Sequence, residues 1–475
     1  MKLKLKLKLK LVVLATLSLT GCWNQSAAPD FEASELTPAG GMTAANLSSR
    51  SFVYPGANVD RMTQLDFWTG FSLFRDPWVI APSSTKDRDG LGPLFNTRSC
   101  ISCHKAGGRA EMAKEGESIP TALVIRLGST TSEVAHADPI YGGQIQPRAI
   151  KVFHGSKQNV TEAEAWLELT TETLVSQYDD GEPYELVKPN YRLTRLRYGE
   201  LAPHVGLSPR HAPNVFGMGL LDAIDEQDLL AQEEPDDTDG DGISAKYNRV
   251  LDVVTGEMAV GRFGFKAKQP NLHQQVAAAF RDDIGITNRL FADESCTQSQ
   301  STCSQVAAQT KDTQVEIPNP LLNLVSKFNA LLAVPPARNL NSKKAQAGRA
   351  LFYQLRCQAC HTPSYTTASD YPITALAGQE IWPYTDLALH DMGPALADGV
   401  IEFEANGREW RTPPLWGIGL QKRYTGELRL LHDGRARTIE EAILWHGGEA
   451  ESSQQQFVKL TQQERGQLVA FLNAI

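Results

Sequence analysis

Hydrophobic and polar residues change their spacing repeatedly along this chain, and each change marks an element. Lysines alternate with leucines from Lys2 to Lys10, and an apolar stretch then runs to Leu19-Thr20-Gly21-Cys22. A basic region, a short apolar region and small residues before a cleavage point make an export signal, so residues 1–21 are set aside as a signal peptide. Residues 22–55 have no sustained period and are expected to be a flexible tether. From about Ala122 to Tyr198 the apolar positions alternate with period two, as in Ala122-Leu123-Val124-Ile125-Arg126-Leu127, Trp166 to Thr170 and Tyr184 to Tyr198, with Asp179-Asp180-Gly181 as a turn signal. That pattern predicts a β-rich insertion at about 120–200. Pro213 to Leu230 return to helical spacing, and leucines from Pro318 to Ala333 keep it until Pro335-Pro336 stop the helix. The expected architecture is mainly α with a β excursion, divided into a first domain over 56–336 and a second over 337–475.

One chemical unit occurs twice, as Cys100-Ile101-Ser102-Cys103-His104 and Cys357-Gln358-Ala359-Cys360-His361. Cys-x-x-Cys-His is the attachment sequence for c-type haem: two thiols add to the vinyl groups, and the histidine supplies an iron ligand. Zinc and a thioredoxin-like dithiol are the competing uses of paired cysteines. A histidine directly after both pairs in an exported chain favours haem. Gly70 to Phe74 and Gly348 to Phe352 each place an aromatic four residues after a glycine, which suits a helix packed closely on a neighbour. Two cytochrome c-like haem domains are therefore expected, carrying two covalently bound haem c groups.

Composition narrows the setting. With 475 residues, 41% hydrophobic and 21% charged, the chain is neither a disordered polymer nor a polytopic membrane protein. Removing residues 1–21 takes away five of the 46 Lys+Arg and none of the 55 Asp+Glu, which moves the net charge from −9 to −14. So acidic a chain disfavours nucleic acid and suits a basic electron-donor protein, such as a basic cytochrome or a cupredoxin. Leu19-Thr20-Gly21-Cys22 resembles a bacterial lipobox, which makes Cys22 the lipidated first residue and joins the protein to a membrane through that anchor. Trp23 follows where an inner-membrane retention Asp would stand, so an outer-membrane lipoprotein facing the periplasm is expected. Cys296 and Cys303 are left over, and an oxidising compartment favours a disulfide between them. Asp237, Asp239 and Asp241 alternate ahead of Gly242 like the first half of a calcium loop spanning 237–248, although its twelfth position is Asn248 and not Glu.

Further stretches resemble a known group. These are Gly90 to Asn96 with Arg98, Gly261 to Phe265, Asp283 to Thr287, His390 to Gly393, Arg411 to Trp416 and His432 to Arg435. Together with the doubled motif they are similar to the bacterial di-haem oxidoreductases of the DHOR family, relatives of di-haem cytochrome c peroxidases, methylamine-utilisation di-haem enzymes and rubber oxygenases. In the related peroxidases the residue fourteen positions after a His-x-Gly turn binds the second iron. Counted from His432, that position is His446. Thr438 with Glu441 reads as a helix start with a capping box, and Gly447-Gly448 as its end. The resemblance thus implies a six-coordinate, low-spin second haem held by His361 and His446, with His390, Met392 and His432 as competing ligands. It also implies electron flow from that haem to a reactive first haem on His104. Arg210 and Asp222 are there the candidate catalytic residues, acting on hydrogen peroxide or dioxygen. Two other functions fit the same residues: electron transfer without catalysis, and oxygenation of an apolar substrate.

Overall fold

The computed structural model describes residues 28–45, 51–112, 121–131, 137–154, 157–160, 163–310 and 314–475. The expected signal peptide and the lipidated Cys22 lie outside them. The structure is 32% helix and 19% strand, with the strands paired into six two-stranded sheets and one of three strands. The expectation of a mainly α protein is therefore corrected. Sequence rich in Gly, Pro, Asn and Asp interrupts helices after each Cys-x-x-Cys-His motif. Short antiparallel pairs, such as Leu389–Asp391 with Glu409–Arg411, satisfy the backbone there instead.

The long helices form two matching pairs. Helix Arg61–Arg75 starts at Asp60, whose carboxylate accepts from the N–H groups of Met62 and Thr63 at 2.9 and 3.0 Å. It buries Phe67, Gly70, Leu73 and Phe74 and packs on helix Asn319–Ala330. Helix Lys343–Gln354 starts at Ser342 and packs on the C-terminal helix Gln462–Ala474, which opens with a Thr461/Glu464 capping box. Both crossings are closed by a glycine. A Cβ on Gly70 would sit 2.1 Å from the Leu324 carbonyl oxygen, and one on Gly348 would sit 1.9 Å from that of Gln467. Gly348→Val is accordingly expected to cost at least about 1–3 kcal/mol through overpacking. Ala350→Val, on the exposed side of the same helix, should change stability by no more than about 0.5 kcal/mol. Equal urea midpoints for the two variants would contradict the close crossing.

The pairing extends into a repeat that the periodicity does not announce. His211-Ala-Pro-Asn-Val-Phe-Gly-Met-Gly-Leu220 aligns with Arg411-Thr-Pro-Pro-Leu-Trp-Gly-Ile-Gly-Leu420. The two copies interlock: a Cβ on Gly217 would meet the Trp416 ring at 2.4 Å, and one on Gly417 would meet the Phe216 ring at 2.9 Å. Each of these glycines donates its N–H to a carbonyl just past its own unit's closing helix, Gly217 to Leu332 and Gly417 to Ile475. The largest core cluster consequently draws on both halves, joining Phe67, Phe74, Leu220 and Phe328 to Leu387, Trp416 and Tyr424.

Two further segments tie the halves together. The β hairpin of Trp166–Gln177 and Pro183–Thr194 ends at Tyr178, where the Arg465 guanidinium lies 3.7 Å from the ring centroid and bonds Asp180 at 3.0 Å. Residues from Ala28 onward, expected to belong to a tether, are packed down. Ala28, Phe31 and Leu36 lie on the second unit's core, and the buried Glu35 carboxylate pairs with Arg349 at 2.8 Å.

Candidate functional site

Helix Lys343–Gln354 runs straight into the second motif. Arg356 takes a left-handed conformation, φ 62°, and turns the chain into a tight helical turn over Cys357–Ala359. The His361 Nδ1 lies 2.9 Å from the Tyr384 carbonyl oxygen. A ring nitrogen that donates to a carbonyl carries the proton, so the lone pair is left on Nε2, the form in which imidazole binds a metal. Burial reinforces this by pulling the His361 pKa down to about 4, and His446 adds to the effect because it is close by. His446 follows helix Ile439–Leu444, which Thr438 caps by accepting the Glu441 N–H. The Glu441 carboxylate does not return to the cap as a capping box requires. It accepts from Arg437 and from Val187 of the hairpin, both at 2.8 Å. The His446 Nδ1 meets the Ala442 carbonyl at 2.7 Å, so its Nε2 is also free for a ligand, and burial lowers its pKa. His390 differs, since both its nitrogens are engaged, Nε2 with Asp386 at 2.8 Å and Nδ1 with Glu449 at 2.7 Å.

The first motif repeats this geometry in a more polar setting. The His104 Nδ1 lies 2.7 Å from the Pro213 carbonyl, and burial pulls the ring down to about 4. Cys103 Sγ donates to the Thr121 carbonyl at 2.9 Å. Asp283 is near enough to raise both the Cys100 and Cys103 thiols beyond what burial does. Gln144 donates to that carboxylate at 2.9 Å. In the sequence Asp283 stands at the head of the stretch Asp283 to Thr287 with nothing to mark it as functional. Its sole sequence signal is an acid set between Phe280 and Ile284, which are both buried.

These arrangements separate the uses open to paired cysteines. Burial pushes the Cys100 and Cys357 thiols up to about 12, whereas a redox dithiol needs a depressed pKa. Among the described residues, the sulfurs of neither motif gather with their histidine into a set tight enough for one ion, as zinc demands. A flat group that takes two thiols at its edge and one imidazole at its centre fits both motifs. Buried polar atoms without a protein partner accompany them: Trp78 Nε1 and Asn96 Nδ2 just ahead of the first motif, Trp382 Nε1 and Trp445 Nε1 beside residues of the second. Such atoms call for a polar group that the chain does not itself supply.

The structure does not bring Arg210 and Asp222 together. Arg210 is 6% exposed and pairs with Glu402 at 2.8 Å, with its Nε donating to Ser208 Oγ at 3.0 Å. Lys266 lies in the same network, fully buried and 3.0 Å from Asp398, with its ammonium 4.5 Å from the centroid of Trp410. The other face of that indole stacks on His432 at 3.8 Å and 8°. Asp222 accepts from Tyr371, which follows the second motif, at 2.8 Å and from the Leu272 N–H at 3.1 Å. Burial raises its pKa. Asp237, Asp239 and Asp241 do gather, with ligand oxygens within 4.8 Å of one another. Arg356 already pairs with Asp241, however, and the Asn248 Oδ1, the atom that would ligate from the twelfth position, accepts the Glu404 N–H at 3.0 Å. Cys296 and Cys303 are disulfide-bonded.

Residues 139–475 match the family described as "Di-haem oxidoreductase, putative peroxidase" (DHOR). The matched span holds the second motif and begins after the first. No curated protein matches the chain. Among solved structures, a hydrazine synthase of Kuenenia stuttgartiensis pressurised with xenon is similar at 17% identity and a TM-score of 0.24, over 38% of this chain and 63% of that one. The chain spans less than two thirds of that protein, and so low a likeness bears on neither fold nor function. The family match runs from the first β region to the final residue, well over half of the sequence, and the chain accordingly belongs to the DHOR family of haem-binding oxidoreductases.

Proposed function

We propose that the protein is an exported, lipid-anchored, peroxidase-like oxidoreductase that holds two c-type haems, one through Cys100, Cys103 and His104 and one through Cys357, Cys360 and His361. Haem bound at these motifs supplies one-electron chemistry, and reduction of peroxide wherever a coordination position stays open. The observation that carries the reading is the shared state of three imidazoles: His104, His361 and His446 each hold Nδ1 against a backbone carbonyl and leave Nε2 unprotonated. Two of them serve the second motif and one the first. This asymmetry makes the second site the closed electron-entry site and the first the reactive one.

The chain's own residues give the first site its character. Asp283 and Gln144 form a buried carboxyl–amide pair at 2.9 Å beside the thiols, and burial raises the Asp283 pKa. A carboxyl whose pKa is raised in this way is suited to pass a proton to where the second oxygen of a peroxide must leave as water. Arg126, 2.9 Å from Asp282, adds a half-buried cation to the same wall. The donor to the second site would be a basic redox protein, attracted by the acidic surface. Cyanide titration of the oxidised holoprotein, read optically and by EPR, tests the reading. One haem of the two should bind cyanide and hydrogen peroxide should be consumed with a reduced donor. Two inert low-spin haems in every redox state would leave electron transfer without catalysis.

A further inference from the structure

His211 is the last residue of strand Val205–His211, fully buried, and neither of its ring nitrogens has a partner. The ring approaches the Ala110 carbonyl without reaching hydrogen-bonding geometry. A buried polar group left unpaired destabilises the fold, and this one is held firmly in place. Its N–H donates to the His432 carbonyl at 2.8 Å, and its ring lies against Gly434, where a Cβ would sit 3.0 Å from Cγ.

The position of His211 is set by the first motif. Two residues further on, Pro213 supplies the carbonyl that holds His104 Nδ1. Two residues of extended chain span about 7 Å, and His104 is near enough to lower the basicity of His211. Because Pro213 grips His104 at the nitrogen turned away from the metal-binding one, the strand passes behind that ring. His211 is thereby tied to the backbone that orients His104, on the side of that ring away from its metal-binding nitrogen.

Two more unpartnered donors lie in the same group of buried and half-buried charges. The Arg109 guanidinium donates to the His211 carbonyl at 3.0 Å and to the Arg429 carbonyl at 2.7 Å, which sets the two backbones side by side. Arg429 uses Nη2 on Glu427 at 2.9 Å but has no partner at Nε, and its charge acts on both His211 and Tyr191. The Tyr191 hydroxyl is likewise unpartnered. Asp433, the nearest buried acid, is already paired with Arg435 at 2.9 Å. An imidazole, a phenol and a half-buried guanidinium beside the buried Arg109 cation make a site for carboxylates.

We propose that His211, Arg429 and Tyr191 hold the propionate carboxylates of the first haem, so that a loop of the second unit grips the cofactor of the first. This rests on haem attachment at Cys100 and Cys103, which mass spectrometry of the haem peptides checks separately. In the holoprotein, Arg429→Gln should lower the midpoint potential of the first haem and leave the second unchanged, because a cation beside the carboxylates is lost. Arg429→Lys should restore it. Tyr191→Phe, which removes one oxygen and disturbs packing least, should shift the propionate bending bands of one haem in resonance Raman spectra. Unchanged bands in Tyr191→Phe together with an unchanged potential in Arg429→Gln would overturn the assignment. A changed spin state at the first haem in His211→Gln would also overturn it, by making His211 an iron ligand.

Discussion

Replacing His446 with alanine is expected to convert the second haem from a six-coordinate low-spin to a high-spin centre, the largest spectroscopic change any single substitution here should produce. The ring is pre-positioned: Nδ1 is fixed on the Ala442 carbonyl at 2.7 Å, and the helix behind it is capped at Thr438 and tied to the hairpin through Glu441. Substitutes are scarce nearby. His390 has both nitrogens bonded to carboxylates, and His432 is stacked flat on Trp410. EPR of the oxidised holoprotein reads the outcome directly. A second haem that keeps its low-spin signal would remove His446 from the ligand set and turn attention to Met392, which packs with Trp410 and Trp445.

Much of this site is legible in the sequence because covalent attachment demands fixed spacing: two cysteines, two residues between them and an adjacent histidine cannot be moved without losing the chemistry. His446 is legible through resemblance, and the helix start at Thr438 supports it locally. The acid–base pairing of Arg210 with Asp222 is a different kind of inference. A position along the sequence says nothing of which buried network a side chain joins, and Arg210 reaches Glu402, a residue 192 positions away. His211 lies one residue beyond Arg210. Its signal was the repeat of 211–220 at 411–420, which hydrophobic periodicity cannot register because the repeat is carried by glycines and a proline. The helical content was overestimated for a related reason: two apolar runs between Pro213 and Leu230 make helices of only five residues each, split at the turn before Asp225.

The remaining large effect concerns the buried charges around Arg210. Burial opposes ionisation of Glu402, but Arg210, Lys268 and Arg126 outweigh it and hold the carboxylate well below its usual range. Glu402→Gln leaves the Arg210 guanidinium, 7% exposed in its side chain, without its counter-charge, and a loss of about 3–5 kcal/mol is expected. Urea denaturation of the holoprotein measures it. Replacing both partners, Arg210→Met with Glu402→Met, should recover part of that loss, since the Arg210 charge is then no longer buried without a partner, while Lys268, 3.8 Å from Glu402, still loses its own. The double variant also separates two roles for Arg210. A folded double variant that retains peroxide consumption makes the guanidinium a structural cation of the wall between the units, as its bonds to Ser208 and Glu402 indicate. A folded double variant with normal haem spectra and no turnover returns Arg210 to the reaction, acting through Nη2, its one nitrogen without a partner.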